Sequence, residues 1–293
     1  MRIIVTGASG HVGTAVVQRL DAQGHDIIGL CRSQCSHLPS HIKLCHVTLG
    51  TPEALGAILA TGPFDCIIHT AACLSMVPGD PEVVATNQIG TQQIAQAATG
   101  CGAHTLIFFS SISVCSPTGP ISEDSPTQPS SEYSASKLYG EGLVQDFSTS
   151  GRCGVSFRLS SPVGPGLKYN RIFRIFVRQA LENQPIVLDG QGGRRQNYID
   201  VRDAAHAVEH AITNQVSGIY NLAGKTAISN LELARLCIDT LGSSSTIEFS
   251  GHEDPAESLS WDITLDKAQR DMHYDPIYTI EDSIRSLAKE LCL

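Results

Sequence analysis

The chain has 293 residues, of which 42% are hydrophobic and 17% charged, and its formal net charge is −9 at pH 7. This composition provides a full core for one large domain or two packed lobes and excludes a largely disordered chain. The acidic charge and the absence of a basic run argue against nucleic acid as a partner. Without an apolar run of membrane-spanning length or a signal-peptide pattern, we expect a cytoplasmic protein that does not bind membranes.

The first predicted strand, residues 2–6, leads directly into a glycine-rich turn and then into a predicted helix at 11–23. In a strand–turn–helix unit, glycines at 7, 10 and 13 are typical of a dinucleotide-binding fingerprint. They allow a tight turn, a close approach of the backbone to a pyrophosphate and close helix packing. The helix N-terminus adds N–H groups that favour phosphate. The predicted dinucleotide contacts in this turn are Thr6, Gly7, Ser9, Gly10, His11, Val12 and Gly13.

Strands and helices alternate through the first half of the chain. Most of the strands are near-continuous apolar runs, as expected for a parallel sheet covered by helices on both faces. This pattern predicts an α/β fold with a Rossmann-type doubly wound parallel sheet. The predicted strands are 2–6, 26–32, 42–49, 66–71, 105–111 and 155–160, and the predicted helices are 11–23, 52–60, 81–99 and 131–147.

After residue 165 the elements become shorter and more mixed, which predicts a smaller C-terminal α/β lobe. We assign residues 1–165 to the dinucleotide-binding domain and residues 166–196 and 215–293 to the second lobe. Residues 197–214 are left unassigned, because the chain can return to the first domain there. The predicted elements here are helices at 172–182, 203–213, 230–241 and from 280, and strands at 186–188, 197–201, 219–222 and 246–249.

Tyr133 and Lys137 are four residues apart in a predicted helix and therefore share one face. The pKa of a free tyrosine is about 10, and a nearby ammonium lowers it toward neutral pH. Such a tyrosine can transfer a proton to or from a carbinol oxygen. Ser111 ends the preceding strand, at the edge where α/β sheets bind ligands, and could donate a hydrogen bond to the same oxygen. We predict Ser111, Tyr133 and Lys137 as catalytic residues.

These motifs resemble the extended short-chain dehydrogenase/reductase family, the NAD(P)-dependent epimerase/dehydratase group. The resemblance extends over essentially the whole chain. Besides the glycine turn and the Tyr133/Lys137 pair, it rests on residues 65–72, 87–91, 111–114, 158–166, 201–203, 220–224 and 266–284.

The resemblance implies a large Rossmann lobe that binds the cofactor and a small C-terminal lobe that binds the substrate. It implies that Ser111 and Tyr133 hold the reacting oxygen. It also implies that Lys137 touches the nicotinamide ribose and lowers the pKa of the tyrosine. Family members often dimerise through the helices that correspond to 81–99 and 131–147, so a homodimer is expected. Further cofactor contacts expected from the resemblance are Ala71, Ala72, Pro162 and Val163. The expected substrate contacts are Ser113, Ser161, Arg195 and Asn197.

The second strand lacks the acidic residue with which NAD-using members commonly bind the adenosine ribose. Arg32 and Ser33 follow the strand instead. An arginine there can pair with a 2′-phosphate. We therefore predict that the protein binds NADP(H) in preference to NAD(H), with NAD(H) still open.

The reaction and substrate are less constrained. The residues after Ser111 lack the Asp-Glu pair of sugar-nucleotide 4,6-dehydratases. Nucleotide-sugar enzymes often carry asparagine at the position of Ser161 and arginine at that of Gln196, whereas Arg195 here is one position out of register. A nucleotide sugar and a smaller carbonyl compound therefore both remain possible substrates.

We predict an NADPH-dependent reductase or dehydrogenase. The alternatives are a nucleotide-sugar epimerase with a tightly bound cofactor and a non-catalytic protein that senses NADP(H). The ten cysteines are scattered and form neither a C-x-x-C pair nor a cluster with zinc spacing. We expect reduced, mostly buried thiols and no metal site.

Overall fold

The computed structural model describes residues 1–32, 35, 37–117, 119–149 and 151–292. Its strands are β1 (Arg2–Thr6), β2 (Asp26–Cys31), β3 (Lys43–His46), β4 (Cys66–His69), β5 (Thr105–Ser111), β6 (Cys153–Leu159), β7 (Ser161–Val163), β8 (Ile186–Leu188), β9 (Arg195–Asp200), β10 (Gly218–Leu222), β11 (Ala227–Ser229) and β12 (Ile247–Phe249). Its α-helices are α1 (His11–Ala22), α2 (Ala54–Leu59), α3 (Gly90–Gly100), α4 (Glu132–Ser148), α5 (Ile172–Leu181), α6 (Val201–Asn214), α7 (Asn230–Leu241), α8 (Asp266–Met272) and α9 (Ile280–Leu291).

A seven-stranded parallel sheet forms the centre of the molecule, in the order β10-β6-β5-β4-β1-β2-β3. The chain runs outward from β1 in one direction through β2 and β3 and in the other through β4, β5 and β6. This reversal leaves a crevice at the carboxyl ends of β1 and β4, which is where doubly wound sheets bind ligands. The predicted Rossmann-type sheet is confirmed.

Side chains on each strand alternate between two cores because successive residues of a strand point to opposite faces. Ile3 and Val5 lie in the core beneath α1, α6 and α8, whereas Ile4 lies in the core beneath α2, α3 and α4. With both faces buried, the strands read as continuous apolar runs in the sequence.

A third core lies in the C-terminal part of the chain. It joins α5, α7 and α9 and contains Phe173, Leu233 and Ile284 among its fully buried residues. Two small sheets accompany it, β11-β9-β7 and β12-β8. None of the helices in the described part of the chain combines the length and the apolar content needed to cross a membrane.

Two segments that we assigned to the second lobe pack on the first one. β10 pairs with β6 at the edge of the large sheet. α8 contributes Ala268 and Met272 to the core under α1 and α6. Hydrophobic pattern could not distinguish these positions, because an apolar strand or helix carries the same pattern in either lobe.

The helix predicted at 81–99 consists of two parts. Val83–Ile89 is a π-helical segment, and α3 continues from Gly90. π-helical turns are rare and often occur at functional sites. Here the wide turn precedes the buried residues Thr91 and Gln93 and contains the buried residue Asn87.

Candidate active site

The glycine turn after β1 forms a backbone cradle. Gly7 has a φ of +64°, and a Cβ added there would lie 2.8 Å from the Cα of Ala71. A Cβ on Gly13 would lie 2.1 Å from the carbonyl oxygen of Gly7, so only glycine permits this approach. The α1 helix starts directly after Gly10, which provides no side-chain cap for its free N–H groups. The cradle fits a pyrophosphate, whose oxygens can accept hydrogen bonds from these groups.

A buried chain of hydrogen bonds links this turn to β4 and α3. The hydroxyl of Thr91 donates to the carbonyl of Asn87 (2.6 Å), so it accepts from Nε2 of His69 (3.0 Å). Nδ1 of His69 must then accept from the hydroxyl of Thr6 (2.6 Å), which itself accepts from the N–H of Ala71 (3.2 Å). Burial lowers the pKa of His69 to about 3. A neutral imidazole with one donor and one acceptor therefore satisfies the whole chain.

Ser111 and Tyr133 meet at the carboxyl end of β5. Tyr133 is half-buried in the first turn of α4. Burial raises its pKa to about 12, while hydrogen bonding with Ser111 acts in the opposite direction. The Ser111 and Ser113 hydroxyls are 2.8 Å apart, and the N–H of Ser113 donates to the Ser111 oxygen (3.2 Å). The structure thus brings together three of the predicted site residues.

Lys137 is buried one turn further along α4. Its Nζ donates to the carbonyl of Phe109 (2.8 Å) and lies 4.8 Å from the ring centroid of Phe108 and 5.7 Å from that of Tyr133. Burial lowers the pKa of Lys137 to about 7. The predicted proximity of tyrosine and lysine is therefore present.

The predicted electrostatic effect of this lysine on Tyr133 is not found. The pKa of Tyr133 is raised by burial, and the groups that lower it are Ser111 and Arg171. Because the pKa of Lys137 is itself about 7, the lysine carries only part of a positive charge at neutral pH. A tyrosine in this environment keeps its proton at neutral pH.

A buried ion pair lies next to the carboxyl end of β5. Arg158 on β6 donates from Nε and Nη2 to the Glu141 carboxylate (3.0 and 2.9 Å), and both side chains are 3% exposed. The hydroxyl of Ser110 donates to the same carboxylate (2.6 Å). Glu141 is one turn beyond Lys137 on α4, so the network joins β5, β6 and α4 directly behind Ser111.

The end of β2 places Arg32 near the same crevice. Its Nη1 forms an ion pair with the carboxylate of Glu82, which precedes the π-helical segment. The predicted cofactor residue Ser33 lies outside the described residues.

The predicted substrate residues of the second part of the chain are largely bonded to protein groups. The amide of Gln196 donates to the Ser161 hydroxyl (2.7 Å). Asn197 uses both ends of its amide on the backbone of Gly224 (3.0 and 2.8 Å). Arg195 donates to the carbonyl of Ala227 and to Glu232. Ser161 and Gln196 therefore form an uncharged pair, and Arg195 is directed to β11 and α7.

Pro162 and Val163 lie on β7, which follows the end of β6 directly. The side chain of Val163 is buried in the third core, so only its backbone can contact a cofactor.

Ser9, Gly10 and His11 line one end of a cavity of about 680 Å³ that extends between α1 and α6. Burial lowers the pKa of His11 to about 4. The side chain of Val12 packs against the core under α1.

Comparison with known proteins identifies the family. The model of the NAD dependent epimerase/dehydratase family matches residues 3–223. The chain belongs to this family. It is 30% identical over 232 residues to the UDP-glucose 4-epimerase of Mycolicibacterium smegmatis, covering 72% of this chain and 73% of that protein. It is 26% identical over 308 residues to an uncharacterized UDP-glucose epimerase of Bacillus subtilis, covering 97% of this chain and 96% of the relative.

Solved structures of similar fold cover the whole chain. The Thermus thermophilus UDP-glucose 4-epimerase, determined in complex with NAD, aligns with a TM-score of 0.87 at 24% identity over 100% of this chain and 99% of the other. This similarity confirms the fold that the epimerase/dehydratase family model implies.

Sequence reasoning assigned no role to His69, Thr91, Glu82 or Glu141. A histidine in an apolar strand and a threonine four residues after an asparagine were visible signals for the hydrogen-bond chain. The ion pairs of Glu82 with Arg32 and of Glu141 with Arg158 were not predictable, because each joins residues from different elements.

Among the described residues, no group of three or more His, Cys, Asp or Glu side chains is arranged to hold a metal ion, and the described cysteines are free thiols.

Proposed function

We propose that this family member is an NAD(P)-dependent oxidoreductase that acts on a hydroxyl or keto group of a nucleotide-activated sugar. The observation that carries the proposal is the convergence of Ser111, Tyr133 and Lys137 beside the glycine cradle. The turn residues Gly7, Gly10 and Gly13 and the start of α1 would hold the pyrophosphate. When bound, the dinucleotide supplies or accepts the hydride.

Side chains of the protein would bind the substrate oxygen and transfer a proton to it. The Ser111 hydroxyl would donate a hydrogen bond to that oxygen and fix its position beside Tyr133. Tyr133, whose pKa is raised to about 12, is protonated at neutral pH and can donate its proton as the oxygen gains charge. A protonated tyrosine is the form that can donate a proton to the oxygen when a keto group is reduced.

We also propose a preference for NADP(H), because Arg32 follows β2 where an acidic residue would favour NAD(H). Equilibrium binding should give a lower Kd for NADPH than for NADH. Equal affinities, or tighter binding of NADH, would contradict this preference.

An epimerase is the second candidate, because the relatives named as UDP-glucose epimerases align over most of the chain. A panel of UDP-sugars, dTDP-sugars and simple ketones, assayed with both dinucleotides, separates the two candidates. A reductase changes the nicotinamide absorbance in proportion to product. An epimerase leaves the absorbance unchanged over full turnovers while NMR detects the epimeric sugar. Turnover of simple ketones alone would contradict the nucleotide-sugar assignment.

We further propose that the protein is a homodimer formed through the π-helical segment, α3 and α4. Val84, Ile89 and Tyr139 on these helices are 45%, 43% and 44% exposed, an apolar surface that a second copy could cover. Light scattering should give twice the mass of the chain, and Tyr139→Asp should shift the protein toward the monomer. A monomer at micromolar concentration would contradict the proposal.

A further inference from the structure

An ion pair joins the two sides of the dinucleotide crevice. Arg32 directly follows β2, and Glu82 follows the loop after β4. β2 and β4 are the two neighbours of β1 in the sheet. A side-chain bond between the segments that follow them therefore passes over the end of β1, where the glycine turn begins.

Hydrogen bonds of the backbone hold the two segments that carry this ion pair. Two residues before Arg32, the carbonyl of Leu30 accepts a hydrogen bond from the N–H of Ala8 in the glycine turn (3.2 Å). The N–H of Glu82 donates to the carboxylate of Asp80 (2.9 Å), which fixes the start of the π-helical segment. Their side chains are nevertheless 63% and 48% exposed, so a ligand in the crevice can reach both.

We propose that Glu82 is a specificity-determining residue that controls which dinucleotide Arg32 accepts. This inference rests on the proposed dinucleotide-dependent function. A 2′-phosphate is dianionic near neutral pH and binds best to an unpaired guanidinium. Glu82 occupies the guanidinium and adds a repelling negative charge, so it weakens binding of the 2′-phosphorylated form.

Glu82 does not weaken the binding of a dinucleotide with a free 2′-hydroxyl. That hydroxyl carries no charge for Glu82 to repel, and the carboxylate can accept a hydrogen bond from a ribose hydroxyl. Glu82 thus supplies, from the β4 side of the crevice, a carboxylate that the end of β2 lacks. Arg32 raises the affinity for the 2′-phosphorylated dinucleotide above that for the unphosphorylated one, and Glu82 reduces this difference in affinity.

The test is equilibrium binding of NADPH and NADH to the full-length protein and to Glu82→Gln, by titration calorimetry. We expect the ratio of NADPH affinity to NADH affinity to rise about fivefold, the upper range for one exposed ion pair. Glu248→Gln is the matched control, because Glu248 is an exposed residue on β12 in the second lobe. It makes the same charge change and should leave the ratio unchanged.

A double-mutant cycle shows whether Glu82 acts through Arg32. In an Arg32→Gln background, Glu82→Gln should raise the affinity ratio less than it does in the wild type, because the guanidinium that it would release is gone and only the direct effects of the carboxylate on the ligand remain. Thermal unfolding of each variant checks that the fold is intact.

The outcomes distinguish the two levels of the proposal. An unchanged ratio in Glu82→Gln, an equal rise in Glu248→Gln, or the same rise with Arg32 absent would overturn the role of Glu82 alone. Failure of the wild-type protein to bind either dinucleotide would overturn the proposed function and, with it, this inference.

Discussion

The glycine-turn side of the crevice and the predicted substrate side differ in how their polar groups are used. At the glycine turn, the start of α1 has no side-chain cap, and the Ser111 and Tyr133 hydroxyls lie at the open end of β5. On the other side, Gln196 is bonded to Ser161, and Asn197 is bonded to Gly224 at both ends of its amide. The first region leaves N–H and hydroxyl groups at the crevice, whereas the second region uses its polar groups to hold the protein together.

This difference indicates where specificity has to arise. The groups that we propose for proton transfer and phosphate binding are held by backbone geometry and by buried hydrogen-bond networks. The predicted substrate residues Ser161, Arg195 and Asn197 already form hydrogen bonds with protein groups. The following predictions test this contrast, from the largest expected effect to the smallest.

Lys137→Met tests how much the burial of this lysine in the candidate site destabilises the folded protein. The pKa of Lys137 is about 7 in the folded chain and about 10.5 in the unfolded chain, so unfolding takes up a proton between these pH values. The free energy of unfolding of the wild type therefore rises with pH across this window. Below pH 7 the buried charge costs up to about 5 kcal/mol. The stability advantage of Lys137→Met should be largest there and should shrink toward pH 10.5.

Urea unfolding at several pH values measures this advantage. Lys267→Met is the matched control, because Lys267 also donates to a backbone carbonyl, that of Ile219 (2.8 Å), but is only half-buried. A difference between wild type and Lys137→Met that stays constant across the window would show that burial does not perturb this lysine.

Gly13→Ala tests the cradle. The added Cβ would overlap the carbonyl oxygen of Gly7 at 2.1 Å, so the turn must open. We expect dinucleotide affinity to fall about 100-fold, equivalent to roughly 3 kcal/mol of overpacking. Gly142→Ala is the control, because a Cβ there meets nothing within 4 Å on α4 and should stabilise the protein by about 0.5–1 kcal/mol. Unchanged dinucleotide binding by Gly13→Ala would rule out the cradle as the phosphate site.

Gln196→Ala tests the substrate side. The variant loses one hydrogen bond to Ser161, worth about 1 kcal/mol. Because this bond holds the protein together, we expect the free energy of unfolding to fall by that amount, and kcat and KM with a nucleotide sugar to change by less than about twofold. Gln184→Ala, which removes a longer bond at the exposed end of α5 (3.3 Å), should leave both constants unchanged. A loss confined to kcat would place Gln196 in the chemical step and end the contrast between the two regions.

The strands of the large sheet were predictable because their continuous runs of apolar residues indicate burial on both faces. β1 and β5 have the predicted bounds, and both faces of their sheet are covered by helices. The π-helical segment was not predictable, since a wide turn leaves the same apolar spacing over so few residues. β10 was placed in the wrong lobe because its partner strand, β6, is more than fifty residues away in sequence.

The candidate site also has a part that was predictable from the sequence and a part that was not. Gly7, Gly13, Tyr133 and Lys137 stand at short spacings that fix geometry within one turn or helix, and the structure brings them to one edge. The pKa of Tyr133 was not predictable, because it depends on burial and on Ser111 from another element. The state of Arg32 depends on Glu82, fifty residues later, and no local pattern carries that information.

The most direct test of the proposed chemistry is Tyr133→Phe, with kcat and dinucleotide Kd measured on the same preparation and the best substrate of the panel. Removing the phenolic proton donor should lower kcat by roughly a thousandfold and leave the Kd unchanged. A kcat equal to that of the wild type would show that Tyr133 does not transfer the proton, and the mechanism proposed for this site would be wrong.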